Sequence, residues 1–176
     1  VRERSIHGTA RERLVCIFPG ALGDWLLALP ALRALRERHP HARCTMATSE
    51  ALRALALASG VADETVALED AATARLFGGD ELPAWLDDRP IVYSWLGAND
   101  PDARRRISRA ATRCRFFQVV RGSGSVHAAV AYARAVGGGT TPAALARHAR
   151  LTPPASAHAD AFLAPLDGGV LAVQVG

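Results

Sequence analysis

The sequence contains no lysine: all 21 of its basic residues are arginine, set against 17 acidic ones for a formal net charge of +4. That absence removes a side chain often used as a point charge on phosphates, and with it the G-K-[ST] ending of a P-loop. Combined with abundant alanine, all-arginine basicity follows GC-rich codon usage and is not by itself a selected surface. Aromatic residues make up only 6%, and no recognition motif accompanies the arginines, so nucleic acid ranks low among the partners. Cysteine is limited to Cys16, Cys44 and Cys114, an odd number set far apart. Each falls in a predicted strand and reads as a buried free thiol in a reducing compartment. No cysteine pair or histidine spacing supports a metal site, so none is expected. Long apolar runs are missing too. Pro19-Gly20, Asp24 and Arg33 interrupt every candidate signal-peptide core, and a cytoplasmic location is the expectation.

What is present is globular: 176 residues, 49% hydrophobic and 22% charged, enough for one domain with a core or one domain and the start of another. The organising stretch is Leu14 to Arg38, LVCIFPGALGDWLLALPALRALRER. Five residues suited to a buried strand, Leu14 to Phe18, break at Pro19-Gly20 and restart at Asp24 as a helix. Trp25, Leu29, Leu32 and Leu35 recur at helical spacing while Arg33, Glu37 and Arg38 fall elsewhere, the pattern of a helix packed on a sheet. Pro30 inside it predicts a bend or a loosened first turn.

Further strands are predicted over residues 42–48, 64–68, 90–96 and 115–120. Helices are predicted over 50–59 (capped by Ser49), 70–77, 102–111 and 126–136 (capped by Ser125), with another turn or two over 82–88. Strands alternating with helices argue for an α/β fold with a parallel sheet covered on both faces. Residues 1–13 read as a polar leader and 14–150 as the domain. Residues 151–169, with three prolines and paired glycines, read as a linker. Residues 170–176 read as the first strand of a second domain.

The stretch Pro19-Gly20-Ala21-Leu22-Gly23-Asp24-Trp25 through Arg36 resembles the strand, G-x-x-G-D turn and proline-containing helix of glycosyltransferase family 9, the ADP-heptose:lipopolysaccharide heptosyltransferases. His127 with AAVAYARAVGG resembles a histidine-led helix late in that family's first domain, and VLAVQVG resembles the opening strand of its second. The resemblance implies the N-terminal half of a GT-B architecture, two Rossmann-like domains facing across a cleft, with this half receiving the acceptor. It implies inverting transfer of a heptose from a nucleotide sugar, ADP-heptose, to the lipopolysaccharide inner core, without cofactor or metal. Asp24 takes the position of the family's candidate general base. Donor-binding residues have no counterpart in this chain, so activity of the chain alone is not expected.

The residues themselves leave two readings open at each position. An inverting transfer needs one base for the attacking hydroxyl, and Asp24 is either that base, an N-cap, or both. Gly20, Ala21, Leu22 and Gly23 either bring backbone donors to a phosphate or sugar oxygen or simply make a tight turn. His127, near a helix start, either orients a hydroxyl or phosphate or is an exposed histidine. Arg104, Arg105, Arg106, Arg109, Arg113, Arg115 and Arg121 form the one dense basic block. Arg105 is its candidate substrate contact. The block either attracts an anionic glycolipid acceptor and the inner face of the membrane or is a solvated helix face. The alternative to an enzyme is a non-catalytic Rossmann-like module binding a nucleotide or an anionic sugar.

Overall fold

A computed structural model of the chain describes residues 12–78, 81–120 and 126–151. Strand β1 (Arg13–Ile17) pairs in parallel with β2 (Arg43–Thr48) on one side and β4 (Ile91–Ser94) on the other; β3 (Glu64–Ala67) and β5 (Arg113–Phe116) form the edges, giving the order β3-β2-β1-β4-β5. This is the doubly wound arrangement: the chain moves outward from β1 in one direction through β3, then returns to the other side for β4. The sequence expectation of a Rossmann-like parallel sheet is met.

Alternation along β1 divides the core. Leu14, Cys16 and Phe18 face a cluster with Trp25, Leu29, Leu32 and Leu35 of α1 (Leu22–Arg38), Ala56 of α2 (Arg53–Ala58), and Tyr132 and Val136 of α5 (Ala128–Val136). Val15 and Ile17 face the other layer, with Leu76, Leu86, and Ile107 of α4 (Pro101–Ala110). A five-residue strand with both faces apolar is what a sheet covered on both sides requires. Each such leucine or isoleucine contributes about 1.5–3 kcal/mol of burial. Helix α1 is covered in turn by α5 and by α6 (Pro142–Ala149). That explains why Pro30 and Ala31 are buried beside the expected leucines.

The helix runs through Pro30 without interruption. Packing on the sheet outweighs the one hydrogen bond that proline cannot make.

Several boundaries differ from the sequence reading. Arg13 already belongs to β1, and β5 begins two residues earlier and ends four residues earlier than expected; Phe117 only continues it with a bond from its N–H to the Ser94 carbonyl of 2.8 Å. Ser49 makes no side-chain cap; a 3-10 turn over Glu50–Leu52 precedes α2. The expected helix over 70–77 is the single turn α3 (Ala71–Ala74), capped by Asp70. Helix α6 was not anticipated, although Thr141 caps it and Pro142 opens it, a standard start signal. Residues 1–11 of the expected leader, the Gly122 to Ser125 turn, and the expected linker and final strand from 152 onward lie outside the described residues.

Candidate functional site

The order of strands places a crevice between the carboxyl ends of β1 and β4, where successive connections leave in opposite directions. In open α/β sheets this switch point is where ligands bind. A cleft of about 880 Å³ occupies it, lined by Pro19, Gly20, Ala21 and Asp24 after β1, by Trp95 to Asp100 after β4, by Gln118 to Val120 after β5, and by Phe77.

Asp24 does not cap α1. The helix begins at Leu22, and Ala21, in extended conformation, holds the cap position without a side-chain bond; the Trp25 N–H closes the first turn on the Ala21 carbonyl at 2.9 Å. Asp24 is therefore the third helical residue. It is half-buried on the cleft wall, and among the described residues no hydrogen bond or ion pair engages its carboxylate. Tyr132 feels it: burial pushes the phenol up from its ordinary value, the bond from the Val120 N–H pulls the other way, and the nearby Asp24 charge adds to the rise. That bond, 3.1 Å from the Val120 nitrogen to the Tyr132 hydroxyl, ties the cleft's third strand end to α5.

Gly20 and Gly23 serve different ends, and neither has a left-handed φ. A Cβ on Gly20 would lie 2.4 Å from Phe18 Cε1 and 2.8 Å from Asp24 Cβ, whereas a Cβ on Gly23 would meet nothing within 4 Å. The first glycine is dictated by packing beneath the cleft. The second stands free on the exposed first turn of α1.

Of the residues singled out in the sequence, the structure brings Gly20, Ala21 and Asp24 into the cleft lining; Leu22 and Gly23 sit exposed on the adjacent turn. His127 is exposed and caps α5, its Nδ1 accepting the Ala129 N–H at 3.3 Å, in place of the expected Ser125. Arg105 lies outside the lining, exposed on α4 and paired with Asp102.

The rest of the basic block is dispersed. Arg104 donates to the Ala98 carbonyl at 3.2 Å and lies 5.0 Å over Phe116; Arg106 donates to the Arg75 carbonyl at 3.1 Å; Arg113 and Arg115 are on the edge strand. Arg121 is outside the described residues. Among the described residues no group of three or more His, Cys, Asp or Glu is placed to hold a metal ion, and no helix is long and apolar enough to cross a membrane.

Sequence reasoning missed Trp95, Asn99, Gln118 and Phe77. Trp95, near the end of the predicted strand 90–96, and Asn99, just past it, were findable from the rule that strand ends line the crevice. Phe77 and Gln118 carried no local signal.

No protein-family model matches the chain, and neither does any curated protein. Solved structures do. A glycosyl transferase family 9 protein from Veillonella parvula DSM 2008 is similar over 88% of this chain and 49% of its own, with 17% identity and a TM-score of 0.56. E. coli heptosyltransferase WaaC is similar over 77% of this chain at 15% identity, with TM-scores of 0.43 with ADP-2-deoxy-2-fluoro heptose and 0.44 with ADP, covering 53% and 52% of that protein. The chain thus spans about half the length of the structures it matches. At that identity the Veillonella likeness establishes the fold: this sheet and its helices are the Rossmann-like unit found in a family 9 glycosyltransferase.

Proposed function

We propose that this unit is the acceptor half of an inverting glycosyltransferase, with Asp24 as the general base. The observation that carries the reading is the placement, in the wall of the switch-point cleft, of a carboxylate that no hydrogen bond or ion pair engages among the described residues. In the proposed reaction an acceptor hydroxyl lies against Asp24. Its oxygen forms a bond to the anomeric carbon of a nucleotide sugar as the bond to the diphosphate oxygen breaks. The hydroxyl proton passes to the Asp24 carboxylate, and the leaving nucleoside diphosphate carries away the electron pair. Gly20 leaves room for the carboxylate's place, because a Cβ there would lie 2.4 Å from Phe18 Cε1 and 2.8 Å from Asp24 Cβ.

The substrates proposed are ADP-heptose and a lipopolysaccharide inner core. The resemblance of Pro19 to Arg36 to the heptosyltransferase motif supports this, as does the fold shared with a family 9 protein. The test is transfer by the complete gene product from ADP-heptose to heptose-free core, wild type against Asp24→Asn. A loss of about 10²-fold or more in kcat with donor binding retained is expected of a lost base. Full activity in the variant refutes the role of Asp24. No transfer with retained nucleotide binding favours a binding module.

A further inference from the structure

One wall of the cleft runs past the end of the sheet. Gln118, Val119 and Val120 line it, but β5 stops at Phe116, and the ladder is continued only by the bond from the Phe117 N–H to the Ser94 carbonyl at 2.8 Å. A segment beyond the ladder needs other partners to keep one position. Among the described residues two polar contacts supply them. At one end the amides of Asn99 and Gln118 pair reciprocally at 2.6 and 3.3 Å, joining the segment to the loop after β4. At the other end the Val120 N–H donates to the Tyr132 hydroxyl at 3.1 Å.

The second contact comes from a residue held firmly in place. Tyr132 is fully buried on α5, its ring edge-on to Phe18 and Trp95 with centroids 5.8 and 6.4 Å away. Phenylalanine would serve for that packing; the hydroxyl is the part that reaches Val120. Phe18 in turn lies beneath the turn that carries Asp24, since a Cβ on Gly20 would stand 2.4 Å from Phe18 Cε1 and 2.8 Å from Asp24 Cβ. Tyr132 thus joins two sides of the cleft. Its ring packs on Phe18 under the β1 turn, and its hydroxyl fastens the wall after β5. The phenol also stays protonated at neutral pH: burial first, with the Asp24 charge adding to it, outweighs the pull of the Val120 bond and pushes it up from its ordinary value. It is a fixed neutral acceptor and no rival to Asp24 for a proton.

We propose that Tyr132 is a positioning residue for the transfer: through Val120, its hydroxyl sets the wall after β5 against Asp24 and so aligns the acceptor hydroxyl with the base. This role rests on the reading of Asp24 as that base. Tyr132 acts by where it holds Val120, not by touching substrate. A displacement of about 1 Å in such a wall can cost about 10²-fold in a reaction between two bound partners. A water molecule attacking in place of the acceptor has no sugar ring for the wall to orient, and its reaction is spared.

The experiment compares the complete gene product with its Tyr132→Phe variant, which keeps the ring and deletes the oxygen. From ADP-heptose it follows both transfer to heptose-free core and hydrolysis of the donor by water. Transfer is expected to fall about ten-fold, with the acceptor KM raised, the donor KM unchanged and hydrolysis retained, so that hydrolysis gains on transfer by the same factor. A role in stability alone lowers the amount of folded enzyme, which moves both rates together and leaves both KM values alone. In hydrogen exchange followed by NMR, the Val120 amide is expected to exchange about ten-fold faster in the variant while the amides of Val15 and Cys16 keep their rates. Gln118→Met, at an exposed position, releases the other fastening and is expected to shift the balance from transfer to hydrolysis in the same direction. Unchanged transfer and acceptor KM in Tyr132→Phe, transfer and hydrolysis falling together, or an unchanged Val120 amide overturns the inference and leaves the glycosyltransferase reading standing. No transfer by the wild type refutes that reading, and the role of Tyr132 falls with it.

Discussion

The two glycines of the turn after β1 look equivalent in the sequence and are expected to respond to alanine with opposite signs. At Gly20 the added methyl carbon falls 2.4 Å from Phe18 Cε1 and 2.9 Å from Cζ, so the ring or the backbone must move by about 1 Å to restore ordinary contact. The ring has nowhere to go. It is fully buried, edge-on to Trp95 at 5.5 Å and to Tyr132 at 5.8 Å. Overpacking of this kind costs about 1–3 kcal/mol. At Gly23 the methyl carbon meets nothing and the residue is helical. There alanine removes backbone freedom from the unfolded chain and gains about 0.5–1 kcal/mol.

The two variants are therefore expected to differ by about 1.5–4 kcal/mol, and by several degrees in Tm at about 2–4 °C per kcal/mol for a chain of this size. Urea unfolding followed by far-ultraviolet circular dichroism, with the slope unchanged and the midpoint moved, reads the difference directly. Gly20→Ala also presses on Asp24 Cβ, 2.8 Å away, so transfer activity is expected to fall further than stability does. Destabilisation by both variants to the same degree, or a neutral Gly20→Ala, would refute the packing argument.

The thiols are expected to be sluggish in the folded protein. Burial lifts Cys114 to about 11, and Cys16, hydrogen-bonded to the Cys44 thiol and buried, is raised as well, so near pH 8 Cys114 has about a hundredth of the thiolate of a free cysteine. Reaction with a chromogenic disulfide should proceed only on unfolding; rapid labelling of the native chain would contradict the burial. Glu64 is held below the ordinary carboxylate range, first by the Thr45 hydroxyl and then by Arg43. Its contribution is present above about pH 4.3 and is lost as pH falls through its lowered value. With Glu64 a third exposed that contribution is a few tenths of a kcal/mol, visible as a flatter acid limb of the urea-midpoint profile in Glu64→Gln; an unchanged limb would rule it out.

The fold was legible because its signals are redundant. The β1 run, the break at Pro19-Gly20 and the leucine spacing of α1 all say the same thing, and a strand covered on both faces declares itself by being apolar throughout. Boundaries were less legible where tertiary packing outweighs local preference. Helix α1 takes in Leu22 and Gly23 because Trp25 is drawn fully into the core. The last helix was missed because its alanine-rich sequence has little pattern, although Thr141-Pro142 announced it. Half of the cleft was legible too: the β1 turn is a motif, whereas Trp95, Asn99 and Gln118 become neighbours only when β4 and β5 lie side by side. No local pattern in one strand reports its partner.

The arginines bear on how the chain's basicity is used. Several of them act as struts within the fold. Arg38 donates to the Val136 carbonyl at 2.7 Å at the end of α5, Arg106 donates to the Arg75 carbonyl, and Arg33 bridges two elements at once, with Nη1 2.8 Å from the His148 carbonyl of α6 and Nη2 3.1 Å from the Ser59 carbonyl after α2. A planar fork can serve two carbonyls in fixed directions; an ammonium on a flexible stem cannot hold both at that spacing. Arg33→Lys is thus expected to behave nearly as a deletion. It gives up one of two charge-assisted bonds and leaves a carbonyl short, costing about 1–3 kcal/mol, and burial, which already lowers Arg33, discourages a charged lysine more strongly. Arg33→Ala should cost only slightly more, and Arg109→Lys, on the exposed face of α4, should cost nothing measurable. If Arg33→Lys matches the wild-type urea midpoint, charge alone suffices at that site, and the arginine there is codon bias with no structural demand behind it.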